Sequence, residues 1–152
     1  MSELINQINE LLSKNNKRPS WDEYFMGIAL LAKSRSPCER LKVGCVLVKN
    51  NKIIGVGYNG FLRGAPHESI IKDGHEQATI HAEVNALANT IDKIVFNDHN
   101  VTAYITHSPC HNCIKSLLCN GVSIIKYNDL YKEISPESLK LARDVSAKIE
   151  QL

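Results

Sequence analysis

The 152-residue chain has no apolar run near the roughly 20 residues that a bilayer-spanning helix needs. Its start, Met1-Ser2-Glu3-Leu4, lacks the basic and apolar segments of a secretory signal, which predicts a cytoplasmic protein. Nor is there an excess of one charge. Eighteen basic side chains face 16 acidic ones, and the net +2 is spread along the chain rather than gathered into a stripe. A polynucleotide ligand leaves a stronger basic footprint, so this balance favours a small anionic partner. Internal repeats and low-complexity stretches are missing. Five cysteines, an odd number, argue against a disulfide framework and leave thiols for packing or for metal. What is present, 43% apolar and 22% charged residues, suits one soluble domain with its own core.

Periodicity then orders the chain. Leu4, Ile5, Ile8, Leu11 and Leu12 have helical spacing, and Asn15 to Arg18 breaks it, so residues 1–18 read as an N-terminal helical extension of a domain covering 19–152. Ser20 and Glu23 form a capping-box pattern ahead of a helix striped with Trp21, Tyr24, Phe25, Ile28 and Leu31. Val43 to Val48 and Ile53 to Gly57 read as strands joined by a turn at Lys49-Asn50-Asn51-Lys52. Residues 59–79 show no period and are long for a plain loop, a length that points to function or disorder. From Ile80 the pattern is helical. Val101 to Ile105 is a strand, Cys110 to Asn120 a helix stopped by Gly121, and Val122 to Tyr127 a fourth strand. Ser135-Pro136-Glu137 opens a last helix. Such alternation predicts an α/β layer domain with helices on both faces of a sheet.

Two short motifs carry chemistry: His81-Ala82-Glu83 and Pro109-Cys110-His111-Asn112-Cys113. Cysteines three apart at a helix start can aim both sulfurs at one point, where the helix dipole favours the thiolate that binds metal. His81 adds a third ligand if the two helix starts meet. Structural zinc sites are closed by four protein ligands, whereas catalytic ones keep three and leave room for water. One histidine and two cysteines make the open kind. His107, His111 and Cys119 are expected to be polar or core neighbours rather than ligands. Glu83, two residues beyond His81, can reach a water at the metal without binding the metal itself. A carboxylate that takes and returns protons is what hydrolytic deamination requires.

The pattern H-x-E…P-C-x-x-C is that of zinc deaminases, matched here at every named position. Around it stand Trp21-Asp22-Glu23-Tyr24-Phe25-Met26, Arg35-Ser36-Pro37-Cys38-Glu39-Arg40, Val43-Gly44, Gly57-Tyr58-Asn59-Gly60 and Asp73-Gly74-His75-Glu76. In combination these resemble the deoxycytidylate (dCMP) deaminase family over roughly residues 19–127. The resemblance implies a cytidine deaminase-like three-layer α/β/α sandwich with a central mixed sheet. It also implies Zn²⁺ as cofactor and hydrolysis of dCMP to dUMP, which feeds thymidylate synthesis. Asn59 would meet the sugar, Ser36 and Arg40 the 5′-phosphate, and the backbone at Ala82 the base carbonyl. Arg40 makes independent sense, since a guanidinium pairs with phosphate through two donors. Asn59, next to a glycine, reads equally as a turn residue on local grounds. Related enzymes use the region of Gly57, Tyr58 and Gly60 in an allosteric site where dCTP activates and dTTP inhibits. Some carry a second zinc, for which Cys38, His67 and His75 are the candidates here, without a clear fourth ligand. Family members assemble as dimers or hexamers. The family's fifth strand is not visible in the tail from Tyr131 onward.

Rival readings share part of this pattern. A tRNA adenosine deaminase has both zinc motifs but calls for more basic character. Free-nucleoside cytidine deaminases place cysteine where His81 stands, and a riboflavin-pathway deaminase usually comes fused to a reductase. A zinc-stabilised binding module would explain His81, Cys110 and Cys113 but leave Glu83 and Arg40 without a task.

Overall fold

The computed structural model describes residues 2–91 and 100–152; of the expected extension 1–18, only Met1 lies outside them. The first helix, α1 (Glu3–Lys14), is capped by Ser2 and buries none of its residues. In α2 (Trp21–Lys33), the Ser20 hydroxyl accepts from the Glu23 N–H, and the Glu23 carboxylate accepts from the Ser20 N–H, which completes the expected capping box. Strands β1 (Gly44–Lys49) and β2 (Lys52–Tyr58) form a hairpin. Its turn residues Asn50 and Asn51 both have positive φ, the conformation that asparagine tolerates and tight hairpins require.

The long segment expected as loop contains four two-residue strands: β3 (Gly60–Phe61), β4 (Ile71–Lys72), β5 (His75–Glu76) and β6 (Thr79–Ile80). They pair as β3 with β6 and β4 with β5, outside the main sheet. Then follow α3 (Ala82–Ala88), β7 (Val101–His107), α4 (His111–Cys119), β8 (Ile124–Asp129), α5 (Pro136–Asp144) and β9 (Lys148–Gln151). The fifth strand is therefore present after all. It escapes pattern reading because it has four residues and only Ile149 is even partly covered.

The main sheet runs β2-β1-β7-β8-β9. Pairing is antiparallel from β2 to β7 and parallel from β7 to β9, so the sheet is mixed, as expected. Successive strand residues face opposite sides. Cys45 and Leu47 point into a core with Ala82, Ala86, Ile114, Leu117 and Ala142 from α3, α4 and α5. Val46 and Val48 point the other way, onto Phe25, Met26 and Ala29 of α2. Three layers result, with α2 the one helix packed on that face among the described residues.

Edge strand β2 determines where α3 lies. A Cβ on Gly57 would overlap the Ala82 carbonyl oxygen and the Ala86 nitrogen, and one on Gly55 would stand 2.6 Å from the Ala86 oxygen. Only glycine lets the helix backbone rest this close on the strand. Three alternate carbonyls on the outer edge of β2 are then capped in turn. Ile54 accepts from the Ile91 N–H at 3.1 Å, Val56 from Asn89 Nδ2 at 3.1 Å and Tyr58 from Asn85 Nδ2 at 2.8 Å.

Candidate active site

Two helix starts converge. Strand β7 leads into α4 and returns through β8 in parallel, which sets the first turn of α4 beyond the C-terminal end of the sheet strand, where α/β folds place their sites. Cys110 is the N-cap of α4, and its sulfur accepts the Cys113 N–H at 3.5 Å. His81 is the N-cap of α3 but makes no side-chain capping bond, which leaves its ring for other work. His81 Nδ1 lies 3.7 Å from Cys110 Sγ and 3.3 Å from Cys113 Sγ.

These distances suit zinc. With Zn–S near 2.3 Å and Zn–N near 2.0–2.1 Å at tetrahedral angles, sulfur and nitrogen ligands stand about 3.6 Å apart. Among the described residues this is the only group of three potential ligands so gathered, with all donor atoms within 4.8 Å of one another. Proton sharing tells the same story. The hydrogen bond from the Cys113 thiol pulls the Cys110 thiol down to about 3 against the opposing effect of burial, while the same bond pushes Cys113 up. His81 is raised, first by its bond to Cys110. A cation would displace the shared protons and be held in their place.

Two of the three potential ligands, His81 and Cys110, line a cavity of about 470 Å³. Ala82 and Glu83 line it beside the metal group, and Glu83 is only 4% exposed. Burial raises the Glu83 carboxyl above its ordinary range, partly offset by its own backbone N–H and then by His81, which suits a group that must hold a proton as well as accept one. Arg40 stands on another part of the wall and donates from Nη2 to the Tyr131 hydroxyl at 3.2 Å. Lys132 lines the same cavity. The Ser108 hydroxyl fixes this turn, accepting the Tyr131 and Lys132 N–H groups at 3.0 and 3.1 Å and donating to the Lys132 carbonyl at 2.8 Å. Tyr131 and Lys132 are absent from the candidates read in the sequence. The segment between β8 and the Ser135 cap leaves the same end of the sheet as Pro109 and Cys110, a relation set by the parallel pairing of β7 and β8 and by no motif in the sequence.

The remaining candidates are placed as follows. Asn59 lines the cavity, yet its side chain is already engaged: Oδ1 accepts from Val43 N at 2.8 Å and from Ser36 Oγ at 2.7 Å, and Nδ2 donates to the Leu41 carbonyl at 2.7 Å. One N–H of the amide is left for a ligand. Ser36, 3% exposed, is not among the lining residues, and its hydroxyl is bonded to Asn59. Gly57 and Tyr58 belong to β2 and Gly60 to β3, with Gly57 under α3 and the Tyr58 carbonyl capped by Asn85. The structure does not bring Cys38, His67 and His75 together: Cys38 and His75 line the cavity, while His67 stacks on Phe61 at 5.1 Å. His111 turns to Ser138 Oγ at 2.7 Å, His107 to Thr106 Oγ1 at 3.0 Å, and neither they nor Cys119 join the metal group.

Residues 19–128 match the model of the cytidine and deoxycytidylate deaminase zinc-binding region. The chain belongs to this deaminase family. Its cofactor is zinc. Among relatives, the ComE operon protein 2 of Bacillus subtilis is 34% identical over 140 residues, covering 90% of this chain and 73% of its own length. The deoxycytidylate deaminase of Mycobacterium phage D29 is 38% identical over 125 residues, covering 72% of this chain and 95% of its own. The chain spans less than half, 45%, of the budding-yeast deoxycytidylate deaminase. The solved dCMP deaminase of cyanophage S-TIM5, in complex with dCMP and dUMP, superposes with a TM-score of 0.74 at 29% identity. It covers 90% of this deaminase and 100% of the phage chain, which supports the three-layer fold. Among the described residues no helix is long and apolar enough to cross a membrane.

Proposed function

We propose that this chain hydrolyses dCMP to dUMP and ammonia with zinc. The observation that carries the reading is the meeting of His81 Nδ1 with both sulfurs beside a cavity that also holds buried Glu83 and, elsewhere on its wall, Arg40. Zinc held by His81, Cys110 and Cys113 supplies the Lewis acidity that makes water a nucleophile near neutral pH. Glu83 takes a proton from that water as its oxygen adds to the ring carbon bearing the amine. The same carboxyl delivers that proton to the ring nitrogen, then takes the second proton from the added hydroxyl and delivers it to the departing amine, which leaves as ammonia. The backbone at Ala82 meets the base carbonyl in this reading, and the free amide N–H of Asn59 meets the sugar.

At the anionic end, Arg40 with Tyr131 and Lys132 is the phosphate clamp. Ser36 acts there only through Asn59, since its own hydroxyl is engaged. The domain is 19–152 with α1 as an extension. Homo-oligomers, dimers or hexamers, are supported by the uncovered Leu4, Ile5, Leu11 and Leu12 on α1 and by exposed Trp21 and Tyr24 on α2. The cytoplasm suits five cysteines that are all free thiols. Regulation by dCTP and dTTP through the Gly57, Tyr58 and Gly60 region is a further part of this reading. Identical dCMP saturation curves with and without each triphosphate would remove it.

The test is ammonia release by the zinc-loaded protein from dCMP, with deoxycytidine, CMP, dCTP and a tRNA anticodon stem in parallel. Turnover of dCMP and loss of that turnover in Glu83→Gln, zinc retained, are the expected results. Turnover of the tRNA alone would keep the zinc chemistry and overturn the substrate.

A further inference from the structure

We infer that Asn85 is a positioning residue for the deamination step: its amide sets the roll of α3 on β2 and so the aim of Glu83. The inference rests on Glu83 being the proton carrier proposed above.

A bond between helix and strand does the positioning. Asn85 and Asn89 lie one turn apart on one face of α3, about 6 Å along the helix axis. The carbonyls they cap, Tyr58 and Val56, lie two residues apart on β2, about 6.8 Å along the strand. Helix and strand spacings match, so two amides can dock at once. Ala82 and Ala86 pack α3 into the core, and the amides add directional bonds to that packing. Gly55 and Gly57 present a smooth track that blocks approach toward the sheet but offers no side chain to resist rotation. At the end nearer the site, the Asn85 amide supplies that resistance.

The two bonds are not equivalent for the site. Asn85 N–H donates to the His81 carbonyl at 3.1 Å, the first backbone bond of the helix, and the Asn85 side-chain bond is partly buried. Asn89 is the C-cap of α3, and its side-chain bond is exposed, at the end away from the site. Glu83 precedes Asn85 by two residues, about 200° around the helix. Since a helix with its side chains has a radius of about 5–6 Å, a roll of about 10° moves a group at its rim by about 1 Å. A displacement of about that size can cost about 100-fold in rate. His81, the N-cap of α3, would also be held through a bound metal together with Cys110 and Cys113, so the metal group tolerates a roll that Glu83 does not.

Three variants of the full chain test this: Asn85→Ala, Asn85→Gln and Asn89→Ala, each loaded with zinc, assayed on dCMP and melted, with Glu83→Gln alongside. The expected result for Asn85→Ala is a kcat about 10- to 100-fold lower, with KM within about twofold and zinc still bound at the parental ratio. Asn89→Ala removes the same kind of bond from the same helix and is expected to melt a few degrees lower with kcat unchanged. Should Asn85→Ala not fold, Asn85→Gln, which keeps the amide but lengthens it by one methylene, is expected to show the same loss of kcat. Equal kcat losses in the Asn85 and Asn89 variants would reduce both to structural bonds and overturn the inference. So would zinc loss in the Asn85 variants or full kcat in them. Full turnover in Glu83→Gln would instead overturn the proton-carrier reading on which it rests.

Discussion

Gly57 and Ala82 are packed backbone to backbone, with no room for a methyl group between them. Ala82 separates the metal-facing His81 from Glu83, so whatever lifts it off β2 lifts both. Gly57→Ala is therefore expected to cost about 1–3 kcal/mol of stability through overpacking and to lower kcat by displacing α3. Gly60, in the same short motif, is a built-in comparison: a Cβ there meets only Pro37 and Tyr58 at ordinary contact distances of 3.5 Å or more. Gly60→Ala is expected to stay within about 1 kcal/mol of the parent. Thermal melts and dCMP assays of the two variants check the contrast, and equal behaviour would refute it.

Arg40 reaches the cavity with a charged donor that a phosphate can use. Removing a hydrogen bond to a charged group costs about 1.5–3 kcal/mol, so Arg40→Ala is expected to lower kcat/KM for dCMP about 10- to 100-fold. Deoxycytidine, which has no phosphate, should react equally with both proteins. An equal loss on both substrates would place Arg40 outside phosphate recognition.

Chelation should separate metal from fold. Removing zinc is expected to abolish turnover, lower the melting temperature and expose Cys110 to alkylation, all reversed by added zinc. Protection of Cys110 that does not change with zinc would exclude it as a ligand.

Asp22 contributes to acid stability away from the site. Burial raises the Asp22 carboxyl, but Lys126 Nζ at 2.8 and 2.9 Å and the Tyr104 hydroxyl at 2.6 Å outweigh it, and the net shift is below 3.8. A carboxyl lowered in the folded state adds stability that is fully present above its unfolded pKa and lost as pH falls through the folded one. The parent is thus expected to lose stability more steeply than Asp22→Asn below pH 3.8. Denaturant midpoints measured from about pH 5 to about pH 2 test the difference, and zinc-ligand protonation, common to both proteins, cancels. Parallel curves would sink the assignment.

Much of this was legible because local chemistry and global fold agree. Ser20 and Glu23 announce α2, Asn50 and Asn51 announce the hairpin, and His81, Glu83, Cys110 and Cys113 each sit within a turn of a helix start. What was not legible depends on pairing between distant segments. Strand β9 carries no periodic signal of its own and is specified by β8 beside it. Tyr131 and Lys132 reach the cavity because β7 and β8 are parallel and end together, a relation that spacing along the chain does not encode. Ser36 illustrates the reverse. The family resemblance set it with Arg40 on the phosphate, whereas its hydroxyl turns inward to Asn59.

The capped outer edge of β2 also bears on how the protein avoids sticking to itself. An open sheet edge invites a strand from another molecule. At β2 the invitation is withdrawn by filling it, since the carbonyls of Ile54, Val56 and Tyr58 already accept from Ile91, Asn89 and Asn85. At the opposite edge, β9 leaves Lys148 and Glu150 in a four-residue strand, short and charged. One sheet thus uses two unlike defences against edge-to-edge aggregation: occupied acceptors on the side that carries Glu83, and charge on the side that does not.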